Sequence, residues 1–445
     1  MPRSVMPVSP PATARRRIVI LSAAVGAGHD GAAEQLAERL HRDGFMVDRC
    51  DFLDLLPGRL GTAVVGTYHR LLVWAPGGYQ RMYAATERGS RPGLFVAILL
   101  RTARRPVLRA IPRDTAAVVS TYPGASQVLG ALRRRGELAV PAVTYLTDFS
   151  VHALWVAPGI DVHLAAHQVP ARQAAARDAA GVRVCAPVVG KEFGPATAAE
   201  RRAARAVFGL PADGPLALLV AGSWGVGAVE RAAAELRDVA AVEPVVVCGR
   251  NERLAGRLRA QGFAHVHGWV DDMPGLMRAC DVLVQNAGGL TSLEAFAAGL
   301  PVLSYRCIPG HGQTNAAALA EAGLAPWIKE PRDLAPAFRA AVGTGGAGRA
   351  LFHDGVCAAA AVAEIARGTA PVPVAAPPVR LPSPYDARPA IRPSSRPAAL
   401  RGVRALAMAA AVTVLLGIAA PLAEAYGDSP GRFPALTHLL EGDPR

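Results

Sequence analysis

The stretch 281–315 reads D-V-L-V-Q-N-A-G-G-L-T-S-L-E-A-F-A-A-G-L-P-V-L-S-Y-R-C-I-P-G-H-G-Q-T-N. Its apolar run at 282–284 predicts a short strand, and residues 286–289 predict a glycine turn. Residues 290–298 space their apolar side chains as the buried face of a helix does, and residues 301–305 predict the next strand. Strand, turn, helix and strand in this order are typical of a parallel α/β sheet.

The glycine turn of this stretch would place free backbone N–H groups at the start of a helix, where they can hold a phosphate. One helical turn further on, Glu294 supplies a carboxylate that can accept hydrogen bonds from sugar hydroxyls. A polar loop at 309–315 follows the second strand and leads into another helix. Together these features predict a nucleotide-sugar site in the second half of the chain.

The composition favours a two-domain protein that faces anionic lipid over one that binds nucleic acid. The chain has 445 residues, which suits two domains of ordinary size plus appendages. Its formal net charge is +13, but its arginines are scattered and no nucleic-acid-binding motif accompanies them. A basic surface against anionic lipid explains the same charge. The six cysteines form no C-x-x-C pair, which predicts a reducing compartment and neither a metal site nor a disulfide framework.

The amino-terminal half opens on another strand–glycine–helix unit. Residues 17–23 read as a buried strand that runs into V-G-A-G-H-D-G, and a helix at 29–40 and a strand at 45–51 follow. A dinucleotide site is disfavoured here, because no acidic residue follows the second strand in the position of a ribose partner.

Two further strands deliver residues to the edge where open α/β sheets bind their ligands. The strand predicted at 142–148 ends in Asp148, although a lone Asp after a strand also commonly caps the following turn. The strand predicted at 216–221 runs into G-S-W-G-V-G at 222–227, a second glycine loop that would open a helix.

These motifs resemble those of the lipid glycosyltransferases grouped with MurG and the monogalactosyldiacylglycerol synthases. The second half has G-G-L-T-x-x-E-A-x-x-x-G-x-P from Gly288, preceded by G-W-V-D-D-M-P from Gly268. The first half has S-x-x-x-G-x-G-H-x-x-A-A from Ser22 and T-D-x-x-x-H-x-x-W from Thr147. The resemblance implies a GT-B fold, with two doubly wound Rossmann-like domains facing a cleft. It also implies an inverting transfer of a hexosyl group from a UDP-sugar to a lipid hydroxyl, such as that of diacylglycerol.

The resemblance makes His29 the candidate general base, because a neutral imidazole can take a proton from an acceptor hydroxyl. Asp148 would orient an imidazole or act as the base itself, and His152 is a competing candidate. No D-x-D motif stands in a suitable place, so backbone N–H groups would meet the leaving diphosphate, and no metal or other cofactor is expected. The residues expected to contact the acceptor are Gly26, Gly28, His152, Trp155, Tyr68 and Trp74.

By the same resemblance the backbone at Val270 would hold the uracil, Met273 would lie beside it, and Glu294 would hold the ribose. The other residues expected to bind the donor are Gly222, Ser223, Gly225, Gly227, Arg250, Asn286, Gly288, Gly289, Leu290, Thr291, Gly310, His311, Gln313 and Asn315.

The chain departs from the galactolipid synthases near the sugar. Asn286 stands where those enzymes have a lysine, and His311 and Gly312 stand where they have a Gln–Glu pair. These departures leave open the donor sugar and the acceptor, which could be polyprenyl-linked or a natural product. They also leave open epimerisation of the UDP-sugar and a non-catalytic nucleotide-sugar binder.

Two regions predict contact with a membrane. Residues 58–112 combine apolar helix faces, flanking arginines and aromatic side chains such as Trp74, Tyr79 and Tyr83, which suits a lipid interface, although two core-packing helices would show the same pattern. Residues 405–423 carry no charge and are close to one membrane span, with arginines before them and acidic residues after. The positive-inside rule then keeps the catalytic body in the cytoplasm, and no signal peptide opens the chain.

The sequence thus predicts a single-pass protein of the cell membrane whose partners are a UDP-sugar, a lipid acceptor and anionic lipids, without nucleic acid. Its predicted segments are a disordered lead (1–16), a Rossmann-like acceptor and membrane-facing domain (17–195), a Rossmann-like nucleotide-sugar domain (196–345), a helix returning toward the first domain (346–369), a Pro/Ala/Arg-rich linker (370–400), a transmembrane helix (401–424) and a short extracytoplasmic tail (425–445).

Overall fold

The computed structural model describes residues 15–88, 94–238, 242–353 and 355–369. These residues form two six-stranded sheets, with strand orders β2-β1-β3-β4-β5-β6 and β12-β11-β10-β7-β8-β9. The first sheet comprises β1 (Arg17–Ser22), β2 (Met46–Asp51), β3 (Thr115–Ser120), β4 (Ala142–Tyr145), β5 (Val162–Ala165) and β6 (Val182–Val184). The second comprises β7 (Leu216–Val220), β8 (Glu243–Val247), β9 (His265–His267), β10 (Val282–Gln285), β11 (Val302–Tyr305) and β12 (Trp327–Ile328).

Helices cover the faces of both sheets. The first half contains α1 (Ala27–Arg42), α2 (Leu60–Trp74), α3 (Pro76–Arg88), α4 (Leu94–Ala110), α5 (Pro123–Arg134) and α6 (Gln168–Ala175). The second half contains α7 (Ala198–Val207), α8 (Val229–Asp238), α9 (Glu252–Ala260), α10 (Met273–Ala279), α11 (Leu290–Ala297), α12 (His311–Glu321) and α13 (Leu334–Ala341), and α14 (Ala358–Arg367) follows.

The central strands are continuous apolar runs because both faces of each sheet are covered. In β1, residues 18–21 are fully buried, and so are residues 282–284 of β10. The paired strands run parallel, for example β1 with β3 and β10 with β7. The structure therefore confirms the predicted pair of parallel α/β sheets.

An aromatic contact and the last helix tie the two halves together. Phe149, which follows β4, packs edge-on against Phe296 of α11, with 6.2 Å between ring centroids. Helix α14 places Val362 and Ile365 in the core of the first half, although it follows the second half in sequence. Arg16 anchors the end of this helix by donating to the backbone oxygen of Ala366 at 2.8 Å.

Three element boundaries differ from the sequence prediction, and each moves residues of the predicted site. Strand β4 ends at Tyr145, so Asp148 lies in a loop and not at the strand end. Helix α12 begins at His311, because Gly310 adopts a positive φ of 68° and turns the chain into the helix there. The expected polar loop at 309–315 is therefore mostly the first turn of a helix. Helix α8 begins at Val229, two residues after the glycine loop ends at Gly227.

The region 58–112 forms α2, α3 and α4, and part of it faces the second half of the protein. Tyr79 is buried, and its hydroxyl lies 3.0 Å from His311 Nδ1. The Tyr83 hydroxyl lies 3.1 Å from Thr314 Oγ1. The prediction that these two tyrosines face lipid is wrong, because helical periodicity shows that a face is apolar but not what covers it. Trp74, by contrast, is 83% exposed.

Within the described ranges, no helix is both long and apolar enough to cross a bilayer. The predicted linker (370–400), transmembrane helix (401–424) and tail (425–445) lie outside the described residues, as does residue range 1–14 of the predicted lead.

Candidate functional site

The candidate site lies where the glycine loop after β1 meets two glycine loops of the second half. A Cβ on Gly28 would stand 3.9 Å from the backbone N of Leu290, the first residue of α11. A Cβ on Gly26 would stand 3.8 Å from Ser223 Oγ, in the loop after β7. The predicted acceptor loop therefore lies against both predicted phosphate-binding loops. His29, which follows Gly28, is close to the start of α11.

His29 is held by one hydrogen-bond partner and two aromatic side chains. Its Nδ1 lies 3.0 Å from Thr147 Oγ1. Tyr122 meets the ring edge-on at 5.4 Å between centroids, and Trp155 lies tilted at 5.9 Å. Burial lowers the pKa of His29 below its ordinary value, and the nearby Asp148 carboxylate opposes this shift. The imidazole is thus neutral at physiological pH, as a general base requires.

Asp148 binds partners other than the imidazole. Its Oδ2 accepts a hydrogen bond from the indole N–H of Trp155 at 3.1 Å. Its Oδ1 accepts one from Asn315 Nδ2, on α12 of the second half, also at 3.1 Å. The expectation that Asp148 orients the imidazole directly is therefore wrong, because Thr147 occupies that position.

Both ring nitrogens of His152 have partners within the first half of the protein. Its Nδ1 accepts from the backbone N–H of Leu154 at 3.1 Å, and its Nε2 lies 3.1 Å from Thr86 Oγ1. Burial lowers the pKa of His152, and the Glu87 carboxylate opposes that effect. Because both ring nitrogens have protein partners, the structure does not support His152 as a competing base or an acceptor ligand.

The remaining acceptor candidates divide into two groups. Tyr68 lies at the boundary between the halves, where its ring stands 5.6 Å from Trp224 of the second glycine loop. Trp155 is buried beside His29 and serves as the hydrogen-bond partner of Asp148. Trp74, the last residue of α2, is 83% exposed and is not brought to the cleft with them.

Glu294 lies on α11, one turn after its start, and is mostly shielded from solvent. Burial raises its pKa to about 7, and the neighbouring Glu192 carboxylate adds to this shift. A carboxylate in such surroundings gains from hydroxyl donors that replace its lost water. This environment suits the predicted contact with ribose.

The second glycine loop is fixed by its neighbours. Asn286 donates through Nδ2 to the backbone oxygen of Val226 at 2.9 Å and so joins the two predicted phosphate-binding loops. Asn251 donates to the backbone oxygen of Gly225 at 3.1 Å. The loop 222–227, with its predicted donor residues, is thus held beside the turn that contains Gly288 and Gly289 and precedes Thr291 of α11.

The predicted nucleobase region follows β9, the edge strand of the second sheet. Arg250 stacks over the ring of Trp269, with its guanidinium carbon 4.4 Å from the ring centroid. Val270 and Met273 are partly buried against the core of this half. Trp269 is half exposed and was not identified from the sequence, although it belongs to the G-W-V motif.

Asn315 is fully buried and bridges the two halves. Besides Asp148, its Nδ2 donates to the backbone oxygen of Ala287 at 3.0 Å. Its Oδ1 accepts from the backbone N–H and the hydroxyl of Ser150 at 2.8 and 2.9 Å. The structure therefore gives the amide a full set of protein partners in place of the expected contact with the donor.

The altered P-G-H-G-Q loop has a fixed geometry. His311 Nδ1 is bonded to the Tyr79 hydroxyl, and burial lowers the pKa of His311. A Cβ at Gly312 would stand only 2.7 Å from the backbone oxygen of Asn286, so this backbone cannot carry the Glu of the galactolipid synthases there. Gln313 is half-buried in the first turn of α12.

Comparison with known families agrees with this arrangement. Residues 29–185 match the family model described as monogalactosyldiacylglycerol (MGDG) synthase. Residues 219–343 match the model described as glycosyl transferases group 1. The chain is therefore similar to the monogalactosyldiacylglycerol synthases in its first half and to the group 1 glycosyl transferases in its second half.

Two relatives illustrate this similarity. A processive diacylglycerol beta-glucosyltransferase of Bacillus mycoides is 25% identical over 340 residues, which are 72% of this chain and 83% of the relative. A probable chloroplastic monogalactosyldiacylglycerol synthase 2 of Oryza sativa subsp. indica is 26% identical over 361 residues, 74% of each chain. A solved structure of sucrose-phosphate synthase from Thermosynechococcus elongatus matches with a TM-score of 0.50 and 16% identity, over 80% of this chain and 99% of that one, which shows the shared GT-B fold.

Sequence reasoning missed several residues of this glycosyltransferase's site. Thr147 stood inside the quoted T-D motif without a role, and Tyr79 and Trp224 contact residues from the opposite half. In the sequence, the only indications of their roles are the T-D motif for Thr147 and the aromatic character of Tyr79 and Trp224. Among the described residues, no group of three or more His, Cys, Asp or Glu side chains is arranged to hold a metal ion.

Proposed function

We propose that this enzyme transfers a hexosyl group from a UDP-sugar to the hydroxyl of diacylglycerol with inversion at the anomeric carbon. The observation that carries the proposal is the contact between the His29 loop and the start of α11, through Gly28 and Leu290. It brings the candidate base next to the candidate diphosphate site.

In the proposed reaction the acceptor oxygen attacks the anomeric carbon of the donor. The bond from that carbon to the β-phosphate oxygen breaks, and UDP leaves with the electron pair. His29 Nε2 takes the proton of the acceptor hydroxyl in the same step. The lowered pKa of His29 supports this role, because the imidazole is then unprotonated before reaction.

The leaving diphosphate would be bound by backbone N–H groups. Helix α11 starts at Leu290 with its N–H groups unpaired within the helix, and the loop 222–227 lies beside it. Such donors stabilise developing negative charge without reorganisation. The proposal therefore includes no metal or other cofactor.

The donor nucleoside would lie along the second half, with the uracil at the backbone of Val270 beside Met273 and the ribose on Glu294. The raised pKa of Glu294 supports this, because ribose hydroxyls would compensate the buried carboxylate. Asn315 is not part of the proposed donor site, since its amide is already used within the protein.

The lipid acceptor would come from a membrane surface. The names of the two relatives both contain diacylglycerol, with glucose in one and galactose in the other. Exposed Val73 and Trp74 at the end of α2 offer an apolar contact beside Arg70. We further propose that the uncharged segment 405–423 anchors the enzyme in the cell membrane, with the catalytic body on the cytoplasmic side.

A direct assay tests the proposal. The purified protein is incubated with vesicles that contain diacylglycerol and with radiolabelled UDP-glucose or UDP-galactose, and lipids and free nucleotides are resolved. Labelled lipid with a β linkage is the expected product. Labelled UDP-sugar converted to its epimer, or binding of UDP-sugar without labelled lipid, would contradict the proposal. Labelling of a polyprenyl phosphate in preference to diacylglycerol would overturn the acceptor assignment.

A further inference from the structure

Thr147 stands where a catalytic histidine normally has its orienting partner. The residue is 8% exposed, and its Oγ1 lies 3.0 Å from His29 Nδ1. Resting on the proposed role of His29 as base, we propose that Thr147 is a positioning residue that fixes the imidazole in the tautomer with its proton on Nδ1.

The tautomer follows from what the base must do. Nε2 can accept a proton from the acceptor hydroxyl only if its lone pair is free, so the single proton of the neutral ring must lie on Nδ1. The Nδ1–H group then donates to Thr147 Oγ1. After proton transfer the imidazolium carries N–H groups on both nitrogens, and Thr147 still accepts from Nδ1. The Thr147 hydroxyl therefore accepts a hydrogen bond from Nδ1 in both the neutral imidazole and the imidazolium.

The groups around the ring support this assignment. Tyr122 and Trp155 contact the imidazole through their rings, and the backbone of Thr121 favours the protonated ring. Thr147 Oγ1 lies within hydrogen-bond distance of Nδ1. The Asp148 carboxylate is bonded to Trp155 and Asn315, so it acts on the ring only through space. On the helix side, Asp30 accepts from the Ser22 hydroxyl and also favours the protonated ring through space.

One further titratable group faces His29 from the second half. His311, on α12, has a lowered pKa because it is buried, and its proximity to His29 adds to this lowering. Both imidazoles are thus neutral together, and charging one disfavours charging the other. A neutral threonine at Nδ1 fits this environment, because it orients the ring without a second negative charge beside Asp148.

The test compares two substitutions at this position. Thr147→Val keeps the shape of the side chain but removes the acceptor, whereas Thr147→Ser keeps the acceptor. The valine variant is expected to lose about ten- to a hundredfold in kcat with unchanged affinity for UDP, because the ring can adopt the wrong tautomer. Thr147→Ser should recover most of the rate.

The pH profile separates positioning from simple damage. A hydrogen bond to the imidazolium is stronger than one to the neutral ring, so its loss disfavours the protonated form. The acidic limb of kcat should therefore move to lower pH in Thr147→Val and return in Thr147→Ser. Thr144→Val is the matched control: it removes a buried hydroxyl of β4 that bonds Ser126 at 2.8 Å and does not touch His29. Its acidic limb should stay in place.

The outcomes divide cleanly. An acidic limb that stays in place in Thr147→Val, or a serine variant as slow as the valine variant, would overturn the role of Thr147. A His29→Ala variant measured alongside distinguishes failure of the underlying proposal. If His29→Ala retains near-normal transfer, the base itself is misassigned, whatever Thr147 does.

Discussion

Asn315 of the second half donates a hydrogen bond to Asp148 of the first half, with 3.1 Å between Nδ2 and Oδ1. The same amide nitrogen donates to the backbone oxygen of Ala287, in the turn that precedes α11. One buried side chain thus connects the proposed phosphate-binding turn with the loop that carries Thr147. We therefore expect this amide to fix the spacing between the proposed donor site and His29.

Replacing Asn315 should separate catalysis from donor binding. Asn315→Ala leaves Asp148 Oδ1 and the Ser150 N–H without partners, which costs about 1–3 kcal/mol of unfolding free energy for each buried group. We expect a lower melting temperature and a lower kcat, with UDP affinity nearly unchanged because the amide does not face the nucleotide. A large loss of affinity for the UDP-sugar, with affinity for UDP retained, would instead make Asn315 a sugar ligand.

Exchanging the side chains of Asn315 and Asp148 refines this test. Asn315→Asp alone places two carboxylates together and should be the slower variant. Adding Asp148→Asn restores an amide–carboxylate pair, so the double variant should regain part of the rate. Additive losses in kcat would show that the two residues do not act together.

The proposed ribose contact makes donor affinity depend on pH. The pKa of Glu294 is raised to about 7 in the free protein, and only its ionised form accepts two ribose hydroxyl bonds. Affinity for UDP should therefore rise as pH increases through about 7 and level off above, with up to roughly a tenfold change per unit on the acidic side. Calorimetric titration of Glu294→Gln should give an affinity about ten- to a hundredfold weaker at high pH and free of this dependence. A Gln variant that binds UDP as tightly as the parent at pH 8 removes Glu294 from the site.

The sequence predicted the sheets well because their signal is local. The apolar runs at 17–23 and 282–284 coincide with buried strands, since a strand covered on both faces must be apolar along its length. The same reasoning could not find Tyr79 as the partner of His311, because the two residues are 232 positions apart and only the packed halves bring them together. Nor could spacing choose between Thr147 and Asp148 as the residue that reaches the imidazole.

Removal of metal ions should leave the reaction intact. The proposed diphosphate site uses backbone N–H groups at the start of α11 in place of a cation. Transfer measured after dialysis against EDTA is therefore expected to proceed at the rate of untreated enzyme. Loss of transfer that added Mg²⁺ or Mn²⁺ restores would show that the leaving group needs a metal.

The exposed end of α2 should bind membranes independently of the segment 405–423. A chain truncated after Pro371 is expected to sediment with anionic vesicles and to be released by salt, because arginines and Trp74 act together at the interface. Trp74→Ala should reduce the bound fraction severalfold. Trp269→Ala serves as the control, since Trp269 is a partly exposed tryptophan of the second half. Equal loss of binding in both variants would rule out a specific role for the α2 end.

The central claim is that His29 takes the proton of the lipid hydroxyl, and its most direct test is the rate of labelled-sugar transfer by His29→Ala alongside UDP calorimetry. We predict a fall of about a hundred- to ten-thousandfold in kcat with normal UDP affinity. His41→Ala, on the same helix but bonded to the backbone oxygen of Phe45, should transfer normally. Near-normal transfer by His29→Ala would contradict the account.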